Sequence, residues 1–140
     1  MQRLAEGSIG YNSLVPLSRT VGTYKATGVD SSNCLGVLFE IPVGDIAAGA
    51  AVNARVQESE TDVDGAYVDI AGSAITQLAD TDDGAIPTID VQCGALATCK
   101  RKRYLRCVVV TTGTVAFAVV SRKYGVTGQP AVSTPAAVLV

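Results

Sequence analysis

Two β-branched runs separated by a Thr-Gly pair constrain the fold of this chain more than any other feature. In KRYLRCVVV (Lys102 to Val110), Tyr104, Arg106, Val108 and Val110 fall on one side of an extended backbone. Arg103, Leu105, Cys107 and Val109 fall on the other. Successive side chains of a strand point to opposite faces, and Val packs well on a pleated surface, so this run reads as a strand. After Thr112-Gly113 comes VAFAVVSRKY (Val115 to Tyr124), a second run of the same kind. The pair is expected to form a central antiparallel hairpin.

Other segments repeat the pattern. CLGVLFEIPV (Cys34 to Val43) is largely apolar and closed by Pro42 and Gly44, as for a buried strand. In AAVNARVQES, Val52, Ala54 and Val56 alternate with Asn53, Arg55 and Gln57. After a polar turn at Thr61 to Gly65, AYVDI is expected to alternate again and close a hairpin. Helix signals are few: Ser73 to Asp83 has room for one short turn, and Asp45 to Ala51 is Ala-rich but interrupted by Gly49. Short strands spaced by Gly, Asp and Thr turns indicate an all-β, antiparallel β-sandwich or jelly-roll-like fold. The expected layout is an N-terminal arm or edge segment over 1–20, a sandwich over 21–125 and an apolar C-terminal tail over 126–140. The last 16 residues carry two prolines, two glycines and no charge. They read as a loose terminus or as an arm laid on a neighbouring subunit.

Composition narrows the function. A chain of 140 residues has the length of one domain. It is 48% hydrophobic but only 5% aromatic and 17% charged, and it contains no His. Without His there is no Ser-His-Asp or Cys-His pair and no imidazole metal ligand. Carboxylate pairs are the remaining acid-base option, yet the Asp residues sit in polar, turn-like surroundings. No Walker or Rossmann glycine pattern occurs. The expectation is a protein that is not an enzyme and uses no cofactor or metal. Asp62, Asp64 and Asp69 superficially suggest a calcium loop, but the Glu and flanking helices of an EF-hand are missing. They read as turn chemistry, as do Asp80, Asp82 and Asp83 before Gly84.

Charge is unevenly distributed. From Gln57 to Cys99 there are nine acids and no bases, and from Lys100 to Lys123 seven bases and no acids. The two blocks either pair within the fold or meet oppositely charged neighbours. Lys100 to Arg103 is the one dense basic patch; it reads as a solvated strand edge or as a contact for an acidic protein surface. Aromatic interleaving for base stacking is limited to Tyr104, so nucleic acid is not expected as a partner. No run of about 18 apolar residues exists, so no membrane partner is expected either. MQRLAEGSIGYNSLVP lacks the apolar centre of a signal peptide, and the expectation is a chain made and used without export. Cys34, Cys93, Cys99 and Cys107 are then expected as reduced, buried thiols, and a Cys93–Cys99 disulfide across a loop is not expected.

The order of these features resembles the capsid decoration, or cement, proteins of tailed bacteriophages. The resemblance rests on GTYKATGVD, CLGVLFEIPVG, VNARVQESETDVDGAYVDI, KRKRYLRCVVVTTGTVAFAVVSRK and the uncharged Pro-containing tail, and covers roughly residues 20–130. In that family a QES…D hairpin and a KRYLR–VVV–TG–AVV hairpin recur in this order. These motifs are architectural, and the termini and four cysteines fit no family pattern. The resemblance implies a β-sandwich on the capsid exterior that clamps neighbouring major capsid proteins. It further implies self-association as a dimer or trimer and synthesis in the host cytoplasm. Candidate contacts are Leu4, Tyr11, Leu14 and Val15 near the N-terminus, Arg101, Lys102 and Arg103 in the basic patch, and Pro130, Val138, Leu139 and Val140 in the tail. A tail or head-completion component of the same fold and a carbohydrate-binding module are the alternatives. The latter needs aromatic platforms, and the chain has five Tyr, two Phe and no Trp.

Overall fold

The structure, a computed structural model, describes residues 8–93 and 101–126. They form two packed antiparallel sheets, a β-sandwich. The first sheet is built on β11 (Val115–Tyr124), flanked on one side by β1 (Ser8–Arg19). On its other side lie β4 (Gly36–Glu40) and β5 (Val43–Ile46), and β4 carries β9 (Thr88–Gln92) at its outer edge. The second sheet is built on β10 (Tyr104–Thr111). One side of β10 holds β2 (Gly22–Lys25) and β3 (Val29–Asp30). The other holds β6 (Ala51–Ser59), which in turn pairs with β7 (Val68–Asp69) and β8 (Leu78–Ala79).

The core lies between the sheets and follows the alternation of the sequence. Leu105, Cys107 and Val109 of β10 face Val115, Phe117 and Val119 of β11 in one cluster with Val37, Phe39, Val52 and Val56. Pro42 separates β4 from β5: it has no N–H to donate, although its carbonyl accepts from the Ala118 amide at 3.0 Å.

Three expectations are corrected. First, β10 and β11 do not form a hairpin; they belong to opposite sheets. The link between them bonds instead to the neighbouring crossover from β5 to β6. The Ala51 amide donates to Thr112 Oγ1 at 2.8 Å, Thr112 N–H to the Ala51 carbonyl at 3.1 Å, and Ala47 N–H to the Thr114 carbonyl at 2.9 Å. Gly113 is needed here because a Cβ would sit 2.7 Å from that of Ala50. Two crossings are thus laced side by side at one end of the sandwich. Second, the segment after the Asp-rich turn is not a regular alternating strand. A single 3-10 turn (Asp64–Ala66) precedes the two-residue β7, and Tyr67 is buried while Val68 and Asp69 are exposed. Third, Ser73 to Asp83 holds no helix; it supplies β8 and a turn. In that turn the Asp80, Asp82 and Asp83 carboxylates accept the backbone N–H groups of Gly49, Ala79 and Ile46, each at 2.8 Å. Aspartates that satisfy backbone donors hold a loop without helical hydrogen bonds.

Candidate partner-contact surface

The N-terminal segment enters the sheet as edge strand β1, paired along β11 from Ser8↔Tyr124 to Arg19↔Val115 with register shifts on both sides of Leu14. Its candidate contacts divide accordingly. Leu14 packs partly into the core, whereas Tyr11 and Val15 are exposed together with Leu17 and Val21. They leave a strip of apolar side chains along a sheet edge, and the strand end is locked in place. Arg19 donates to the Phe117 carbonyl at 2.9 Å and the Val15 carbonyl at 2.8 Å, with its guanidinium 4.7 Å from the Phe117 ring centre. Beside the strip, Pro16, Leu17, Pro42 and Gly44 wall a shallow groove of about 380 Å³ floored by Ala116 and Ala118. Small floor residues and proline walls give a mostly apolar depression able to receive a partner's side chain.

The basic patch is partly neutralised within the chain. Glu58 holds the Arg101 guanidinium at 3.5 Å and accepts the Lys102 backbone N–H at 3.1 Å. Arg103 meets Asp30 at 2.9 Å, and this guanidinium holds the Asp30 carboxyl well below the usual carboxylate range. The Lys102 ammonium has no carboxylate partner among the described residues. A second link between the acidic and basic blocks is Arg106 with Asp64 at 2.7 Å. Both blocks therefore meet in the fold, the acidic one across the outer face of the second sheet. Leu4, Pro130, Val138, Leu139 and Val140 lie outside the described residues.

Three arrangements escaped the sequence reading. Arg106, on the outer face of β10, is 6% exposed because the 60–70 segment folds over it. Its guanidinium lies 4.0 Å from the Tyr67 ring centre and donates to Gln57 at 2.9 Å. Cys34 and Cys93 are neighbours whose thiols donate to the Ser31 carbonyl at 3.5 Å and the Val91 carbonyl at 3.4 Å; the interaction between the two lowers the Cys34 thiol pKa and raises that of Cys93. They line a cavity of about 450 Å³ with Glu60, Arg101, Lys102 and Arg103. The third is Lys123, which is 6% exposed on the inward row of β11. The parity of the strand, counting on from Val115, was the available signal for it.

No protein-family model and no curated protein matches the chain. Among solved structures it is similar to the PBSX exported protein XepA, with 14% identity over 100% of this chain and 44% of that one, at a TM-score of 0.59. It is also similar to a chain of the infectious bursal disease virus Gx strain structure, with 8% identity over 89% of this chain and 33% of that one, at 0.54. A chain of the infectious bursal virus-derived T=1 particles gives 11% identity and a TM-score of 0.51. The likeness is one of fold. The chain spans less than half the length of each of these proteins.

Proposed function

We propose that this chain is a virion structural protein that binds the outer surface of a phage capsid and clamps neighbouring major capsid proteins. The observation that carries the reading is the exposed apolar strip on a long, well-anchored edge strand: Tyr11, Val15 and Leu17 of β1, in a two-sheet scaffold. Exposed apolar side chains clustered beside a groove mark a protein contact surface. The sandwich fold shared with chains of a viral particle supports the same reading.

On this reading the protein acts without catalysis. It is made in the host cytoplasm, self-associates as a dimer or trimer, and repeats one modest contact over a symmetric lattice. Effective concentration then raises the apparent affinity well above that of one site. With few aromatic anchors available, apolar edge contacts and the charges left free in the basic patch supply the binding energy.

The test is to mix the purified full chain with expanded phage capsids that lack it and count bound copies per shell. Saturation at a fixed, lattice-like number with added resistance to heat supports the reading. Saturation at a few copies per particle assigns a tail or head-completion role, and absence of binding to any shell overturns it.

A further inference from the structure

The side of the sandwich where β1 approaches β2 and β3 holds a cavity of about 280 Å³. Its lining comes from both sheets: Tyr11, Asn12 and Ser13 of β1, Thr27 to Asp30 of the β2–β3 segment, and Lys123 of β11. A register shift after Asn12 opens the edge here, and bulges of this kind redirect side chains at sites of function. Ser13 turns inward, where its hydroxyl pairs with that of Ser121, and its carbonyl accepts the Thr27 amide at 3.1 Å. The cavity is therefore framed by fixed backbone.

Lys123 is the anomaly in it. The inward row of β11 runs Val115, Phe117, Val119, Ser121, Lys123, so the apolar core gives way to a hydroxyl and then to an ammonium. Ser121 has its partner in Ser13. Lys123 is 6% exposed, and its ammonium makes no hydrogen bond or ion pair with any described residue, although its charge is felt by the Cys34 thiol. Asp30 shares the cavity, but its carboxylate is taken by Arg103 and by the Ser32 amide. The stem of Lys123 is buried and carries the ammonium to the cavity with donors to offer, and an anion brought to it gains a charge-assisted hydrogen bond.

We propose that this cavity binds a carboxylate, gripped by the Lys123 ammonium, with the Asn12 amide at the mouth as a second donor. One cation, with Asp30 also lining the cavity, matches a monoanion; a doubly charged phosphate would meet Asp30 without a second positive charge. The volume admits the carboxylate and a short stem, as on an acidic side chain or a small organic acid. This inference is independent of the virion reading.

The experiment is a two-dimensional amide NMR titration of the full chain at constant ionic strength. The probes are acetate, N-acetyl-glutamate amide and inorganic phosphate. Saturable shifts confined to Asn12, Ser13, Thr27, Gly28 and Lys123 with either carboxylate are expected, with at least about tenfold weaker binding in Lys123→Gln. Intermolecular NOEs from the acetate methyl group to Thr27 and Val29 in the unaltered protein give a readout that does not depend on the variant folding. Tighter binding of the capped glutamate assigns an acidic protein side chain as ligand; equal binding assigns a free acid. Linear, unsaturated shifts, undiminished binding in a folded Lys123→Gln, or phosphate binding as tight as carboxylate would each overturn the proposal.

Discussion

The Tyr124 hydroxyl donates to the Asp90 carboxylate at 2.6 Å, reaching from β11 to β9 across the intervening strand β4. The phenol lies directly over Gly36, the β4 residue that pairs with Tyr124 on one side and Gln92 on the other. A side chain at Gly36 would occupy the space of the ring. An aromatic ring over a strand glycine replaces the packing that the glycine cannot supply.

Gly36→Ala should push the Tyr124 ring aside and destabilise the sandwich by about 1–3 kcal/mol, the range for overpacking. Tyr124→Phe, which keeps the ring and removes only the hydrogen bond, should cost about 1 kcal/mol. Urea unfolding reads both. Upfield-shifted Gly36 α-protons in the unaltered protein, restored to ordinary positions in Tyr124→Leu, check the geometry directly.

Arg106 carries the fold of the acidic segment over the second sheet. Arg106→Ala removes the stack on Tyr67 and the bond to Gln57 and should cost about 2 kcal/mol, chiefly lost packing and cation–π attraction. Lys25, whose ammonium meets Asp64 at 2.9 Å on the surface, is the control: Lys25→Ala should leave the urea midpoint almost unchanged. Equal losses in the two variants would show that burial of Arg106 contributes nothing.

The thiols should separate by reactivity. Cys34, its pKa lowered by its interaction with the neighbouring Cys93, should alkylate first at about pH 8, and Cys93, raised by the same interaction and by burial, well after it. Cys107 is fully buried, and burial pushes its thiol up to about 12, so it should react only when the chain unfolds. Time-resolved iodoacetamide labelling with mass-spectrometric mapping gives the order. Modification of Cys93 ahead of Cys34 would contradict it.

Acid should weaken the fold through depressed carboxylates. Arg103 holds Asp30 low, Lys25 and then Arg106 hold Asp64 low, and Arg55 and then Gln57 hold Asp69 low. A carboxylate whose pKa is lower folded than unfolded adds stability above its unfolded value, near 3.9, and loses it as pH falls through the folded one. The urea midpoint should therefore stay level with respect to these groups above about pH 5 and decline below about pH 4. Asp30→Asn should flatten part of that decline, and high salt should shrink it, because the Arg103–Asp30, Lys25–Asp64 and Arg55–Asp69 pairs face solvent.

Much of the sandwich was legible from alternation. The inward rows Leu105, Cys107, Val109 and Val52, Ala54, Val56 are those that parity assigns to one face, and they form the core. The turn role of Asp80, Asp82 and Asp83 was also readable, since aspartates beside glycine cap backbone donors. The candidate contacts were only partly legible. Tyr11 and Val15 stand exposed, while Leu14 turns inward at a bulge that no side-chain pattern announces.

By itself the sequence determined which residues share a face of each strand, because side-chain direction alternates with chain position and apolar residues leave water. Only the tertiary structure decided which strands are neighbours. It sent β10 and β11 to opposite sheets, laid Tyr67 over Arg106, brought Cys34 beside Cys93 and left Lys123 facing a cavity. The physical reason is that sheet pairing runs through backbone N–H and C=O groups, which every residue but proline presents alike. A strand with the right alternation fits beside many others, and the closing of the whole core selects among them.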